Sequence, residues 1–133
     1  MLSARVTSRR VRLWTLEEAT AVLPEVRVLV RRARELVAAA TERASRARGN
    51  GAPSGNGQAR AAGDAELRTI LSELDERGIV VRDAARGLID FPARTPGGRD
   101  YLLCWLDGED AIGWWHWPED GFAGRTPLSE PPT

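Results

Sequence analysis

From Leu16 onward apolar residues fall at Leu16, Ala19, Leu23, Val26, Val30, Ala33, Val37, Ala40, Ala44 and Ala47, in alternating steps of three and four. That spacing is the seam of a helix lying along another helix, in the manner of a coiled coil. It commits the first third of the chain to helix. Thr15 and Glu18 just before the seam form a capping box, with Trp14 and Ala19 set as a weak hydrophobic staple. Pro24 interrupts the pattern, so either Leu16–Leu23 is a separate short helix or one long helix bends there. Arg27, Arg31, Arg34 and Glu35 lie off the seam, where a solvated face is expected.

Residues 49–63 contain five glycines and a proline and read as a flexible linker. Asp64 then caps a second helix carrying Leu67, Ile70, Leu71 and Leu74 on one stripe, with Gly78 as its stop. The second helix is the shorter of the two. Part of the seam is therefore left uncovered, and a homodimer through that seam is the expected partner. After Gly78 short apolar runs bounded by turn residues take over: 79–81, 88–91, 101–106 and 112–117. Connections this short imply an antiparallel meander. The expected fold class is α+β: a long N-terminal helical hairpin followed by a small antiparallel sheet of three to four strands. The expected organisation is a disordered basic arm over 1–12, one domain over 13–128 with its linker at 49–63, and a disordered tail over 129–133.

Charge sharpens this picture. All 19 basic residues are arginine, and 19 acids balance them. Residues 1–60 hold 12 arginines against 5 acids, and residues 61–133 hold 7 against 14. The two halves complement one another, within the chain or across a dimer. A net charge of zero disfavours nucleic-acid binding by bulk attraction. The absence of lysine excludes Schiff-base and phosphate-loop lysine chemistry. One cysteine and one histidine exclude Cys-pair and multi-His metal patterns, so no metal ligands are expected and no cofactor is specified. No apolar run approaches the length of a membrane span. A lone cysteine and no secretory h-region fit a cytoplasmic protein.

Chemistry-bearing side chains concentrate in the last third, where four of the five tryptophans lie within 105–117. Tyr101, Trp114, His116, Phe122 and Arg125 form the candidate ligand-binding set. The stretch Gly121-Phe-Ala-Gly-Arg125 offers backbone amides and a bidentate donor to a small anion. Asp90 and Cys104 are secondary candidates. With a two- or four-residue hairpin loop after Leu106, Cys104 and His116 fall on opposite faces of the sheet. Cys104 then joins Leu102, Leu106 and Trp115, while His116 joins Leu103, Trp105, Ile112 and Trp114. Only an odd loop or a bulge brings the two together. No catalytic set is expected.

The ordered series Thr15-Leu-Glu-Glu-Ala19, Leu23-Pro-Glu-Val26, Gly87-Leu-Ile-Asp-Phe-Pro92, Cys104-Trp105, Trp115-His116 and Gly121-Phe-Ala-Gly-Arg125 with Pro127-Leu128 resembles an uncharacterised prokaryotic family, domain of unknown function 2203. The resemblance implies a small soluble protein with a helical N-terminal half and implies no activity. The expected function is that of a non-enzymatic accessory or interaction protein acting as a dimer. The alternative is a protein or enzyme that binds a small anion or a cofactor, a metal or haem included, on the aromatic C-terminal sheet.

Overall fold

The computed structural model of the chain describes residues 11–50 and 57–133. Most of the expected arm, and 51–56 of the expected linker, lie outside the described residues. Helix α1 spans Leu16–Asn50 and α2 spans Gly57–Glu76. Strands β1 (Val80–Asp83), β2 (Leu88–Arg94), β3 (Asp100–Leu106), β4 (Trp114–His116) and β5 (Thr126–Pro127) follow, with a 3₁₀ turn at Phe122–Gly124. The α+β reading holds. The sheet has five strands in sequence order, each antiparallel to its neighbour, rather than the expected three to four. The fifth strand is two residues long and begins directly after the glycine-flanked turn, too short to leave an alternating pattern in sequence.

Helix α1 starts where its cap dictates. Thr15 N–H donates to Glu18 Oε1 at 3.0 Å, and Glu18 N–H donates to Thr15 Oγ1 at 3.1 Å. Such a box contributes about 1 kcal/mol. Trp14 reaches further than a staple: it is buried, donates its indole N–H to the Gly78 carbonyl at 3.2 Å, and meets Phe91 edge-on at 5.2 Å. Pro24 lies within one continuous 35-residue helix, so no separate short helix forms. Ala19, Leu23, Val26, Val30 and Ala33 are buried as the seam requires, whereas Leu16 is exposed, and Leu36 is buried beside the half-buried seam residue Val37.

Helix α2 begins seven residues before Asp64, inside the stretch whose composition suggests a linker. Gln58, Ala59, Arg60, Ala61 and Ala62 are good helix formers, and their propensity prevails over the flanking glycines. At Gly63 a Cβ would meet Leu36 and Arg43 of α1 at 3.7–3.8 Å, so the helices already touch there. More of the seam is covered than the sequence implies, and its last apolar positions, Ala44 and Ala47, remain exposed.

The core fills the space between the helices and one face of the sheet. Trp14, Val26, Val30, Ile70 and Leu74 pack against Ile89, Phe91 and Ala93 of β2 and Leu103 and Trp105 of β3. Because strand residues alternate faces, Asp90 and Cys104 point away from the helices. Near the end of the chain Leu128 N–H donates to the Gly113 carbonyl, and Trp115 Nε1–H donates to the Glu130 carbonyl at 2.8 Å.

The arginines off the seam are not simply solvated. Arg27 donates to the Asp110 carbonyl at 3.1 Å, and Arg31 and Arg34 clamp Asp107 at 3.1 and 2.9 Å. Arg32 pairs with Glu66, and Arg77 with Glu25. The basic and acidic halves thus meet within one chain. Gly87, at φ 74°, completes the clamp; a Cβ there would lie 2.7 Å from Asp107 Cβ and 2.8 Å from Arg34 Cδ. Burial alone would raise the Asp107 carboxyl, but the hydrogen bonds from Arg34 and Arg31 outweigh it and hold the group below its ordinary value.

A carboxyl depressed in the folded state stabilises above its unfolded pKa of about 3.9, and that contribution fades as pH falls through the lower folded value. Asp107→Asn is therefore expected to cost about 1 kcal/mol at neutral pH, a modest figure because both arginines are half-exposed and screened. In urea unfolding at pH 7 and pH 3, the gap between variant and parent should shrink in acid. A gap that widens would contradict the clamp.

Candidate metal and ligand site on the outer face of the sheet

Three adjacent strands each send one side chain to the face turned away from the helices. Asp90 of β2 pairs in register with Cys104 of β3, and Leu102 of β3 pairs with His116 of β4, two positions along the same face. Cys104 and His116 therefore share a surface with Asp90, which corrects the expectation of opposite faces. Seven residues separate β3 from β4, an odd number, so the parity of a two- or four-residue hairpin does not apply. The connection is held in place from within the hairpin and from α1. Glu109 accepts from Leu106 N–H at 2.9 Å and, through its carbonyl, from Trp105 Nε1–H at 3.1 Å, while α1 holds Asp107 and Asp110. Trp115 in turn faces Leu103, on the other side from Cys104.

The three side chains are almost wholly enclosed. Asp90 is 0% exposed, Cys104 1% and His116 2%. Their ligating atoms lie within 4.8 Å of one another. His116 Nδ1 is 2.7 Å from the Trp117 carbonyl, which can only accept, so Nδ1 carries a hydrogen. Nε2 is thereby turned to Asp90 Oδ2 at 3.0 Å. The same oxygen accepts from Arg82 Nε at 2.6 Å. Arg82 is the extra residue of a bulge between Val81 and Asp83, where β1 slips against β2; bulges of this kind re-aim a side chain. Asp90 Oδ1 is buried with no hydrogen-bond partner among the described residues.

Cys104 is no nucleophile as it stands. Burial first, then the charge of Asp90, pushes its thiol up to about 12. Both nitrogens of His116 are engaged elsewhere, so the imidazole is not placed to take the thiol proton. A thiolate–imidazole pair for covalent catalysis is absent from this geometry.

A pocket of about 120 Å³ opens beside these residues, lined by Arg82, Leu88, Asp90, Cys104, His116, Pro118, Gly121 and Phe122. Arg125 closes the neighbouring side, 4.5 Å over the Trp114 ring and 4.7 Å over Phe122, with Nη2 on Glu109 at 2.6 Å and Nη1 4.0 Å from Cys104 Sγ. Phe122 also stacks under Arg86.

The site thus gathers His116, Phe122 and Arg125 from the primary candidates, with Trp114 beneath Arg125, and both secondary candidates, Asp90 and Cys104. It leaves Tyr101 out: that ring packs edge-on to Trp115, on the side of Leu103. Sequence reasoning missed Arg82 and Glu109. Arg82 reaches the site through a bulge, and Glu109 lies in a connection read as a plain turn; neither carries a local signal. Haem does not suit a pocket of this size.

Residues 12–128 match the family described as "Uncharacterized conserved protein (DUF2203)", and the chain belongs to that family. Neither a curated protein nor a solved structure gives a significant match. Among the described residues no helix is long and apolar enough to cross a membrane.

Proposed function

We propose that this protein binds a divalent transition metal of the zinc class through Asp90, Cys104 and His116. The observation that carries the reading is the set itself: carboxylate, thiol and imidazole from three neighbouring strands, all buried, with ligating atoms within 4.8 Å. Sulfur, nitrogen and oxygen donors together suit Zn²⁺ and its relatives. The remainder of the site supports it. The His116 Nδ1–H on the Trp117 carbonyl is the outer contact that ordinarily orients a ligating histidine. Among the described residues no donor meets hydrogen-bond geometry at Asp90 Oδ1, and only the weak thiol of Cys104 lies near the carboxylate, at a place where an unsatisfied oxygen is costly. A cation between Nε2 and the carboxylate would replace the hydrogen that now joins them. Three protein ligands leave an exchangeable position, as reactive rather than purely structural zinc sites do.

The interaction-protein reading rests on an uncovered seam, and among its described positions Leu16 at the start and Ala44 and Ala47 at the end are exposed while the stretch between is covered or half-covered. The buried cluster is the stronger feature, so the ligand-binding alternative is preferred.

Titration of metal-free protein with Co²⁺ should give one equivalent bound and a thiolate-to-cobalt charge-transfer band in the near ultraviolet. Cys104→Ser should remove that band. Failure to bind Co²⁺ or Zn²⁺, or an unchanged band in Cys104→Ser, would overturn the assignment.

A further inference from the structure

The charges around the cluster do not balance once a cation is counted, and the imbalance has a direction. Asp90 and a Cys104 thiolate together neutralise a divalent ion. Arg125 is matched by Glu109 at 2.6 Å. Arg82 is left over: its Nε is committed to Asp90, while its terminal nitrogens have no partner among the described residues and its side chain is 44% exposed at the rim of the pocket. Its charge stands at the rim of the pocket, with two free nitrogens in a planar fork that matches a carboxylate, and Arg86 over Phe122 adds to the positive field there.

Size and lining narrow the ligand further. A volume of about 120 Å³ is small for a ligand cavity. Nucleotides and drug-sized cofactors need about 300 Å³ or more. The wall away from the ligating atoms is apolar, made by Leu88, Pro118 and Phe122. A ligand that fits has one anionic end and a short apolar end.

Resting on the metal reading above, we propose that the pocket holds a small monocarboxylate of formate-to-propionate size, one oxygen at the metal's open position and the carboxylate fork on Arg82. Phe122 is the gate that sets the upper size limit. It closes the pocket by stacking between Arg86 and Arg125, at 4.8 and 4.7 Å, and is itself 37% exposed, so it limits the space without belonging to the core.

The test uses Co²⁺-loaded protein, followed by its visible ligand-field bands. Acetate should shift the bands saturably, benzoate should not, and chloride at equal ionic strength should not. Arg82→Gln also loses the contact that supports Asp90 and should need roughly 10-fold more Co²⁺ to load. Once saturated with cobalt it should keep the thiolate charge-transfer band and weaken the acetate response roughly 10-fold or more, as loss of charge-assisted hydrogen bonds requires. Phe122→Ala should let benzoate shift the bands. A cobalt-loaded protein blind to acetate, or an Arg82→Gln variant that responds as the parent does, would sink the carboxylate assignment while leaving the metal centre standing. A response to chloride equal to that to acetate would reduce the site to a general anion position and also overturn it. Protein that binds no cobalt at all would remove both readings together.

Discussion

Trp105→Ala is expected to lower the stability of the fold by about 4 kcal/mol, the upper range for loss of a large aromatic from a core. Trp105 is fully buried near the C-terminal end of β3, on the face that meets α1, and belongs to the same cluster as Val26, Val30 and Phe91. Two further losses add to the cavity. The indole N–H no longer reaches the Glu109 carbonyl, and the Arg27 guanidinium loses the ring face 5.7 Å beneath it. Small domains have only about 5–15 kcal/mol in total, so the variant should be partly unfolded at 37 °C and its melting point should fall by roughly 15 °C. Calorimetry checks this. A shift of only a degree or two would mean that the sheet does not rest on the helices as described.

Asp90→Ala should have the largest effect on the outer face, and it separates binding from folding. Removing the carboxylate strips His116 Nε2 of its partner while the ring stays enclosed, at a cost of about 2 kcal/mol. Arg82 loses its partner as well, but being half-exposed it turns to water at little cost. Zn²⁺ affinity should fall by at least about 100-fold, because loss of a supporting contact alone already costs 10–100-fold and this change removes a ligand. Cys104→Ser should reduce metal affinity with little loss of stability, as a hydroxyl of similar size can keep the weak contacts the thiol makes with Asp90 and Arg125. Isothermal titration together with urea unfolding of both variants distinguishes the two effects. Equal metal affinity in Asp90→Ala and the parent would rule the carboxylate out as a ligand.

Much of the fold could be read directly. The capping box at Thr15, the seam from Ala19 to Ala33, the stop at Gly78 and the antiparallel order of the strands are all local patterns, each set by a few neighbouring residues. What could not be read depends on contacts distant in sequence. Gly57–Gly63 is helical because good helix formers lie between the glycines and α1 lies alongside. The facing of His116 depends on how many residues the β3–β4 connection holds between paired positions, and arginines about 80 positions earlier hold that connection in place. Composition picked out the aromatic third of the chain and most of the site's side chains. It could not say which of them share a face, because a parity argument inverts when one loop residue is gained or lost. Tyr101 was therefore included although it faces the helices' side, and Arg82 was missed because its bulge has no signature.

The connection Asp107–Gly113 has a consequence for how such a chain can vary. Surface loops ordinarily gain and lose residues freely. Here loss of one residue would rotate β4 by one position, turn His116 toward the helices and present Trp115 or Trp117 to Cys104. The sheet could survive such an indel; the cluster could not. For this stretch of chain the length is the inherited trait, and the identity of most of its residues is secondary.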